Sequence, residues 1–262
     1  SYVDYTVTHY DLPVVSVMGY YAVHVLNRDV TKGKLTVVGT WNDSSIAGQM
    51  SSFSSWGPTD GLTLKPEITG IGGNVFSGWN DGFAVASGTS MASPAVAAAA
   101  ALVRQHLQKS GLEEDALTHA VNCLLMSTAS PILDEEHHAL YAVRRQGAGL
   151  ANIGAALASE AYIQVTGTDK AKLELGDDPA RTGVYEMSFE VVNFSQEQKE
   201  YTLDTTVLGQ VAEGGQIVDG EVTYLTLPYE KELSAGVTSS LPDGTLTVPA
   251  GSPAQVTVTV TL

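Results

Sequence analysis

The spacing of apolar side chains predicts helices in residues 46–165. An alanine run, residues 95–101, leads into Leu102 and Val103, and we expect this helix to be buried on nearly every side. A second helix is predicted from about Glu113 to Ser127, because seven apolar residues share one face there: Leu112, Ala116, Leu117, Ala120, Val121, Leu124 and Leu125. A short helix follows from Asn152 to Ser159. Together with the Ser-, Gly- and Pro-rich loops that precede them, these elements favour an α/β domain.

The pattern changes to strict alternation after residue 165. In the last segment, Val256, Val258, Val260 and Leu262 fall on one face and threonines on the other, as in a half-buried strand. Six such segments predict an all-β sandwich over residues 166–262: Lys172–Leu175, Val184–Phe194, Tyr201–Leu208, Glu221–Leu227, Gly244–Val248 and Gln255–Leu262.

Residues 1–45 form a shorter, β-leaning stretch. We predict a strand at Leu12–Val17, a brief helix at Tyr20–Leu26 and a strand at Leu35–Thr40. These elements are too few to fold alone. They are either the end of a separate domain or an edge of the α/β domain that follows.

Composition excludes several classes of function. The net charge is −16, with 8 basic and 14 acidic residues in 1–165 but 5 and 15 in 166–262, which argues against nucleic-acid binding. No apolar run approaches the ~20 residues of a membrane span. Cys123 is the single cysteine, so neither an internal disulfide nor a cysteine-based zinc site can form. The segment Asp134–His138 predicts a solvated polar loop, because adjacent side chains diverge too far to share a metal ion.

The candidate chemistry lies in the segment Ala86–Pro94, at the start of the alanine-rich helix. Gly88 gives the backbone freedom before Ser90, and Ser87 and Thr89 are short enough not to block a substrate. The first amides and the dipole of a helix favour negative charge that develops near Ser90. The segment therefore predicts a serine nucleophile. The tripeptide Gly-Thr-Ser alone would favour the alternative, a buried helix with a Ser/Thr cap and no catalytic role.

The full segment, with the alanine run behind it, resembles the serine motif of subtilisin-like proteases. Further segments resemble the cell-envelope proteinases of that family, of the lactocepin and streptococcal complement-cleaving types: Met50–Pro58, Leu64–Thr69, Gly72–Asn74, Leu124–Ala129 and Arg144–Asn152. The chain departs from the family at Gly70-Ile71, where Ala-Pro is usual. This departure replaces a stiff corner by a flexible one.

The resemblance implies a fold and a division into domains. Residues 1–45 would be the end of an inserted protease-associated domain, and residues 46–165 the C-terminal part of an α/β subtilisin-like peptidase domain. Residues 166–262 would be a fibronectin type III-like module. Because no initiator methionine is present, we expect the chain to be a piece of a longer polypeptide.

The resemblance also implies a site. Ser90 would be the nucleophile and donate one oxyanion hydrogen bond from its backbone amide, while Ser87 and Gly88 line the cleft and Thr89 holds the turn. The family order places the Asp, His and oxyanion Asn before the serine, and therefore upstream of this chain. None of the histidines has the family's His-Gly-Thr-His context: His9, His24, His106, His119, His137 and His138.

The expected function is a serine endopeptidase that hydrolyses extracellular proteins by acyl transfer at a bacterial cell surface. Its partners would be a protein or peptide substrate and the rest of its own polypeptide. No cofactor is required, and structural calcium cannot be read from these residues. We expect this chain alone to be inactive. A catalytically silent surface or adhesion module is the alternative, and a serine esterase or transferase is a second one.

Overall fold

The computed structural model describes residues 48–80, 82–168, 170–218, 221–241 and 243–262. The predictions for residues 1–45 lie outside the described residues, as do His9 and His24. The described elements begin with a hairpin of β1 (Val75–Trp79) and β2 (Gly82–Ala86), which runs directly into the long helix α1 (Thr89–Lys109).

Three more helices and a small hairpin complete the first part of the chain. They are α2 (Glu114–Ser127), β3 (Leu133–Asp134), β4 (Ala139–Leu140), α3 (Val143–Gln146) and α4 (Ile153–Ala158). The predicted second and short helices are thereby confirmed. No helix in the described ranges has the length and apolar character needed to cross a bilayer.

The core of this part forms between α1 and α2. Residues spaced four apart on α1 pack against the predicted apolar face of α2, and the fully buried members are Ala99, Val103, Leu107, Leu117, Ala120, Cys123 and Leu124. The helix α4 and the strand β5 (Ala161–Val165) cover the cluster through Ala156 and Tyr162. Helical periodicity therefore positions the long helix that carries Ser90.

The expectation that α1 is buried on nearly every side is wrong for the described residues. Its buried residues are Ala99, Val103 and Leu107, whereas Leu102 is 48% exposed. The reason is geometric, because α2 covers a single stripe of a helix whose alanines point in every direction.

Residues after 160 form antiparallel strands. The strands are β5 (Ala161–Val165), β6 (Val184–Asn193), β7 (Lys199–Thr202), β8 (Leu208–Val218), β9 (Glu221–Glu232), β10 (Gly236–Ser239), β11 (Thr245–Val248) and β12 (Pro253–Thr261). A four-stranded sheet has the order β10–β12–β6–β5, a second sheet pairs β11 with β7, and a third is the long hairpin β8–β9.

The first two sheets share one core. It is built by alternate residues of β12 and β11 together with β5 and β6: Ala161, Val191, Leu246, Val248, Val256, Val258 and Val260. The alternation predicted for the last strand is confirmed at its three valines, but Leu262 lies beyond the strand and is 59% exposed. The assignment to a fibronectin type III-like module stays a prediction.

Some strand predictions are wrong. Lys172–Leu175 is not a strand, the segment predicted at Tyr201–Leu208 is interrupted between β7 and β8, and β5, β8 and β10 were not predicted. The division at residue 165 stays a prediction. Strand β5 lies before it, yet β5 pairs with β6 from Ala161↔Asn193 to Val165↔Phe189.

The segment Lys172–Leu175 is held by side chains instead of a strand partner. Lys172 Nζ contacts the carboxylates of Glu67 at 3.1 Å and Glu174 at 3.0 Å and donates to the carbonyl oxygen of Leu64. The Leu64 amide donates to Glu174 Oε1 at 2.8 Å. The alternating polar side chains Lys172 and Glu174 therefore bind this segment to the loop that precedes β1.

Candidate functional site

Ser90 lies at the surface in the first turn of α1, which begins at Thr89. The amides of Met91 and Ala92 donate to the carbonyl oxygen of Gly88 at 3.0 and 3.3 Å. The carbonyl four residues before Ser90 lies outside α1, so the Ser90 amide has no helical partner. It points out of the helix end, where the dipole is positive. The serine hydroxyl is therefore accessible and next to a backbone donor.

The turn before Ser90 is fixed from outside the helix by the loop of residues 70–74. The Gly88 amide donates to the carbonyl oxygen of Gly72 at 2.8 Å. The Asn74 amide donates to Ser87 Oγ at 2.8 Å, and Ser87 Oγ donates in turn to Asn74 Oδ1 at 3.2 Å. Ser87 and Gly88, predicted to line a cleft, thus also anchor the turn.

Two glycines permit this loop to lie against the helix backbone. A Cβ on Gly72 would stand 2.6 Å from the Gly88 carbonyl oxygen and 3.0 Å from Ala92 Cβ. A Cβ on Gly70 would stand 2.6 Å from Val96 Cγ2. The sequence interpretation treated Gly70 as a flexible corner, whereas the structure uses it for close packing. A Cβ on Gly88 would meet only ordinary contacts, at 3.7 Å or more.

Pro94 lies inside α1, close to its start. The helix starts at Thr89, which places Pro94 in the second turn. Because proline has no N–H, the carbonyl of Ser90 loses the donor that residue 94 would otherwise supply. The backbone N–H and C=O of Ser90 therefore both lack a regular helical partner.

Gln146 connects the loops around this region. It is 2% exposed, and its side chain accepts from the Ile132 amide at 2.6 Å and donates to the Tyr141 carbonyl at 2.5 Å. Its own carbonyl accepts from Thr69 Oγ1 at 2.8 Å. The next residue, Gly147, has φ +65, and its Cβ would overlap Glu67. This segment therefore fixes the approach to the Gly70–Asn74 loop.

Trp56 packs against two arginines of the same segment. The guanidinium carbons of Arg144 and Arg145 lie 4.9 and 5.0 Å from its ring centroid, a cation–π arrangement. Arg145 Nη2 also donates to the Ser51 carbonyl at 3.0 Å. Burial lowers the pKa of Arg145, opposed by the charges of Tyr141 and Asp134. Trp56 therefore packs against the segment that contains Arg144 and Arg145.

None of the described histidines forms a hydrogen bond with Ser90. His106 is sixteen residues along α1, or about 24 Å at the helical rise, and contacts the Ser159 carbonyl at 3.2 Å. His137 Nδ1 lies 3.0 Å from Asp134 Oδ2, and its ring stacks on Tyr229 with centroids 4.4 Å apart. Within the described residues the Ser90 hydroxyl has no hydrogen-bond partner.

The polar loop at Asp134–His138 differs from its prediction at its first residue. Asp134 is 6% exposed and accepts the amides of Glu136 and His137 at 3.1 and 3.2 Å. It caps the β3–β4 turn, which explains why an acid there is buried. Across the described ranges, no group of three or more His, Cys, Asp or Glu residues is arranged to hold a metal ion.

The arrangement contains the groups that a serine nucleophile and part of an oxyanion site require. An accessible hydroxyl lies at the positive end of a 21-residue helix, on a turn held by the loop of residues 70–74. A serine hydroxyl attacks a carbonyl efficiently only when a base removes its proton. The assignments of Ser90, Ser87, Gly88 and Thr89 to catalysis and substrate binding stay predictions.

Comparison with known proteins gives a family. Residues 14–167 match the sequence model described as the subtilase family. Over 248 residues the chain is 31% identical to a PIII-type proteinase of Lactococcus lactis subsp. cremoris (strain SK11), covering 87% of this chain and 12% of that protein.

Two further relatives are similar over comparable lengths. A PII-type proteinase of Lacticaseibacillus paracasei is 31% identical over 240 residues, covering 84% of this chain and 12% of the relative. A C5a peptidase of Streptococcus pyogenes serotype M18 is 27% identical over 215 residues, covering 81% and 17%. The chain thus spans between 12% and 17% of the length of these relatives.

Proposed function

Because the chain belongs to the subtilase family, in its cell-envelope proteinase branch, we propose that it forms the serine-bearing part of a serine endopeptidase. Ser90 attacks the carbonyl carbon of a peptide bond, and its proton passes to a histidine of the same polypeptide. The leaving amine takes that proton, and water then hydrolyses the acyl-enzyme. The reaction requires no cofactor.

The observation that carries the proposal is the exposed Ser90 hydroxyl on its externally fixed turn. The Ser90 amide donates to the oxyanion of the tetrahedral intermediate, as the position of the first helical amides supports. Ser87 and Gly88 line the cleft beside the scissile bond, and Thr89 holds the turn. Their exposed or half-exposed positions at the start of α1 support this assignment.

The remaining catalytic groups come from the rest of the polypeptide, upstream in the family order of Asp, His, oxyanion Asn and Ser. Within the described residues no histidine is bonded to Ser90, and this supports the division. In subtilisin, loss of the base lowers kcat by about a millionfold. The chain alone therefore hydrolyses peptides at a negligible rate. The upstream part packs against the face of α1 that α2 leaves exposed, which carries alanines and Leu102.

We assign the neighbouring regions in the same way. Residues 1–45 are the end of an inserted protease-associated domain, and residues 166–262 are a fibronectin type III-like module, supported by the two sheets with a shared core. The enzyme acts on extracellular proteins at the bacterial cell surface. The relatives are named proteinase and C5a peptidase, and these names support a protein or peptide substrate.

The test labels the full-length polypeptide with a serine-directed phosphonate and identifies the modified peptide by mass spectrometry. We expect labelling at Ser90 and cleavage of casein, both abolished by Ser90→Ala. Ser93→Ala is the matched control, because Ser93 is also an exposed serine near the start of α1. Absence of labelling in an intact protein would favour a catalytically silent surface module. Robust Ser90-dependent cleavage by residues 1–262 alone would contradict the division of the catalytic groups.

A further inference from the structure

The β1–β2 hairpin presents large aromatic side chains at the surface beside Ser90. Phe76 is 53% exposed, Trp79 is 56% exposed and Phe83 is 73% exposed. The rings of Phe76 and Phe83 stack with centroids 5.3 Å apart and planes at 20°. Single exposed apolar residues are ordinary, but a stacked pair of exposed phenylalanines on one short hairpin forms a patch of the kind that binds partners.

The register of the hairpin explains the stacked pair. Phe76 faces Val85 and Gly78 faces Phe83, so all four residues lie on one face. Because Gly78 has no side chain, the Phe83 ring lies diagonally across the hairpin onto Phe76. Trp79 pairs with Gly82 at the turn end and lies on the opposite face. The aromatic surface is thus preformed by backbone pairing.

The hairpin is continuous with the turn that carries Ser90. Strand β2 ends at Ala86, which pairs with Val75, and the next residue, Ser87, is bonded to Asn74. At about 3.3 Å per residue, Phe83 lies roughly 10 Å back along the strand from Ala86. A polypeptide with its carbonyl at Ser90 therefore reaches the aromatic patch within a few extended residues.

We propose that the β1–β2 hairpin is a second binding surface for the polypeptide substrate, which takes apolar or aromatic side chains several residues from the cleaved bond. The inference rests on the proposed endopeptidase function. The hairpin sequence, residues 75–86, contains no lysine or arginine and one acid, so recognition is by apolar contact. With a net charge of −16, attraction to an anionic lipid surface is unfavourable.

The test compares Phe83→Ala and Phe76→Ala, which remove the two stacked rings, with Leu62→Ala in the full-length enzyme. Leu62 is 73% exposed, as is Phe83, but lies in another loop. The substrates are a short chromogenic peptide and a series of longer peptides in which one phenylalanine is moved along either side of the cleaved bond. We expect KM for the peptides with a correctly placed phenylalanine to rise about tenfold in the two hairpin variants. One well-buried aromatic contact accounts for a change of this size.

In the same experiment, the two hairpin variants should stay within about twofold of the wild type in kcat, in cleavage of the short peptide and in phosphonate labelling of Ser90. Leu62→Ala should stay within about twofold of the wild type in every one of these measurements and in KM. If the wild type is neither labelled nor active, the endopeptidase function itself fails. If it is active but both hairpin variants match it on every peptide, the binding surface fails alone. Two further results would overturn the proposal. Equal losses on short and long peptides would mean that the patch contacts the enzyme's own polypeptide. Weaker binding of the hairpin variants to lipid vesicles would mean that the patch contacts a membrane.

Discussion

The amide nitrogen of Gly88 donates a hydrogen bond to the carbonyl oxygen of Gly72, with 2.8 Å between the two atoms. This bond joins the turn before Ser90 to a loop sixteen residues earlier in the chain. It forms because the loop can approach the helix end at backbone distance, which a side chain on Gly72 would prevent. The position of the Ser90 hydroxyl therefore depends on a residue that has no functional group.

Gly72→Ala is expected to lower kcat/KM of the full-length enzyme by about a hundredfold, because a displacement near 1 Å has that effect on attack geometry. The new Cβ would lie 2.6 Å from the Gly88 carbonyl oxygen, so the loop or the turn must shift. Gly61→Ala is the control, since its nearest neighbour would be 3.9 Å away. Peptide hydrolysis measures both variants, and an unchanged kcat/KM for Gly72→Ala would refute the anchoring role.

Local patterns account for the elements that the sequence predicted well. The face of α2 is set by helical spacing, and the buried valines of β12 by alternation, both of which act within a few residues. Lys172–Leu175 has the same alternation but no strand beside it, so its lysine pairs with carboxylates instead. The roles of Gly70 and Gly72 depend on contacts with α1 that no local pattern contains.

Gln146→Leu is expected to destabilise the chain by about 3 kcal/mol, because the Ile132 amide and the Tyr141 carbonyl lose their partner inside the protein. The melting temperature should fall by roughly 6–12 °C. Gln105→Leu, on the exposed side of α1, makes the same chemical change without burial and should have little effect. Thermal melting followed by tryptophan fluorescence compares the two, and similar melting temperatures would contradict the connecting role of Gln146.

The ion pairs of Lys172 predict a stability that is lost in acid. Burial raises the pKa of Glu67, but hydrogen bonds from Lys65 and Lys172 outweigh it, so the net pKa lies below the ordinary value of 4.5. The hydrogen bond from Lys172 also lowers the pKa of Glu174. A lowered carboxyl pKa in the folded state stabilises the protein above the unfolded-state value, and this contribution disappears as pH falls through the folded-state value.

Lys172→Met should therefore lower the melting temperature at pH 7, and the difference from wild type should shrink as the pH falls below about 4.5. Lys170→Met is the control, because Lys170 is exposed and forms none of these ion pairs. Melting curves over a pH series distinguish the two variants. A difference that is the same at every pH would mean that Lys172 acts through packing of its methylenes and not through its charge.

Glu230 gives a prediction of the opposite sign. Burial raises the pKa of this β9 carboxyl, although the Val143 amide and the charge of Arg144 lower it in part. A raised carboxyl pKa means that the folded state favours the neutral form, so the ionised form destabilises the protein above the folded-state value. Glu230→Gln keeps an oxygen that can accept from the Val143 amide but removes the charge. It should raise the melting temperature at pH 7 by about 1–2 °C.

The gain should vanish as the pH falls and Glu230 in the wild type takes up its proton, because both proteins then carry a neutral group at this position. Glu232→Gln, two residues along the same strand, is the matched control and should show no such change, since Glu232 is exposed. The two pH series therefore separate burial of one carboxyl from a general relief of the net charge of −16. Equal stabilisation by both variants would identify the general charge as the cause, and a lower melting temperature for Glu230→Gln would mean that its attraction to Arg144 outweighs the cost of its burial.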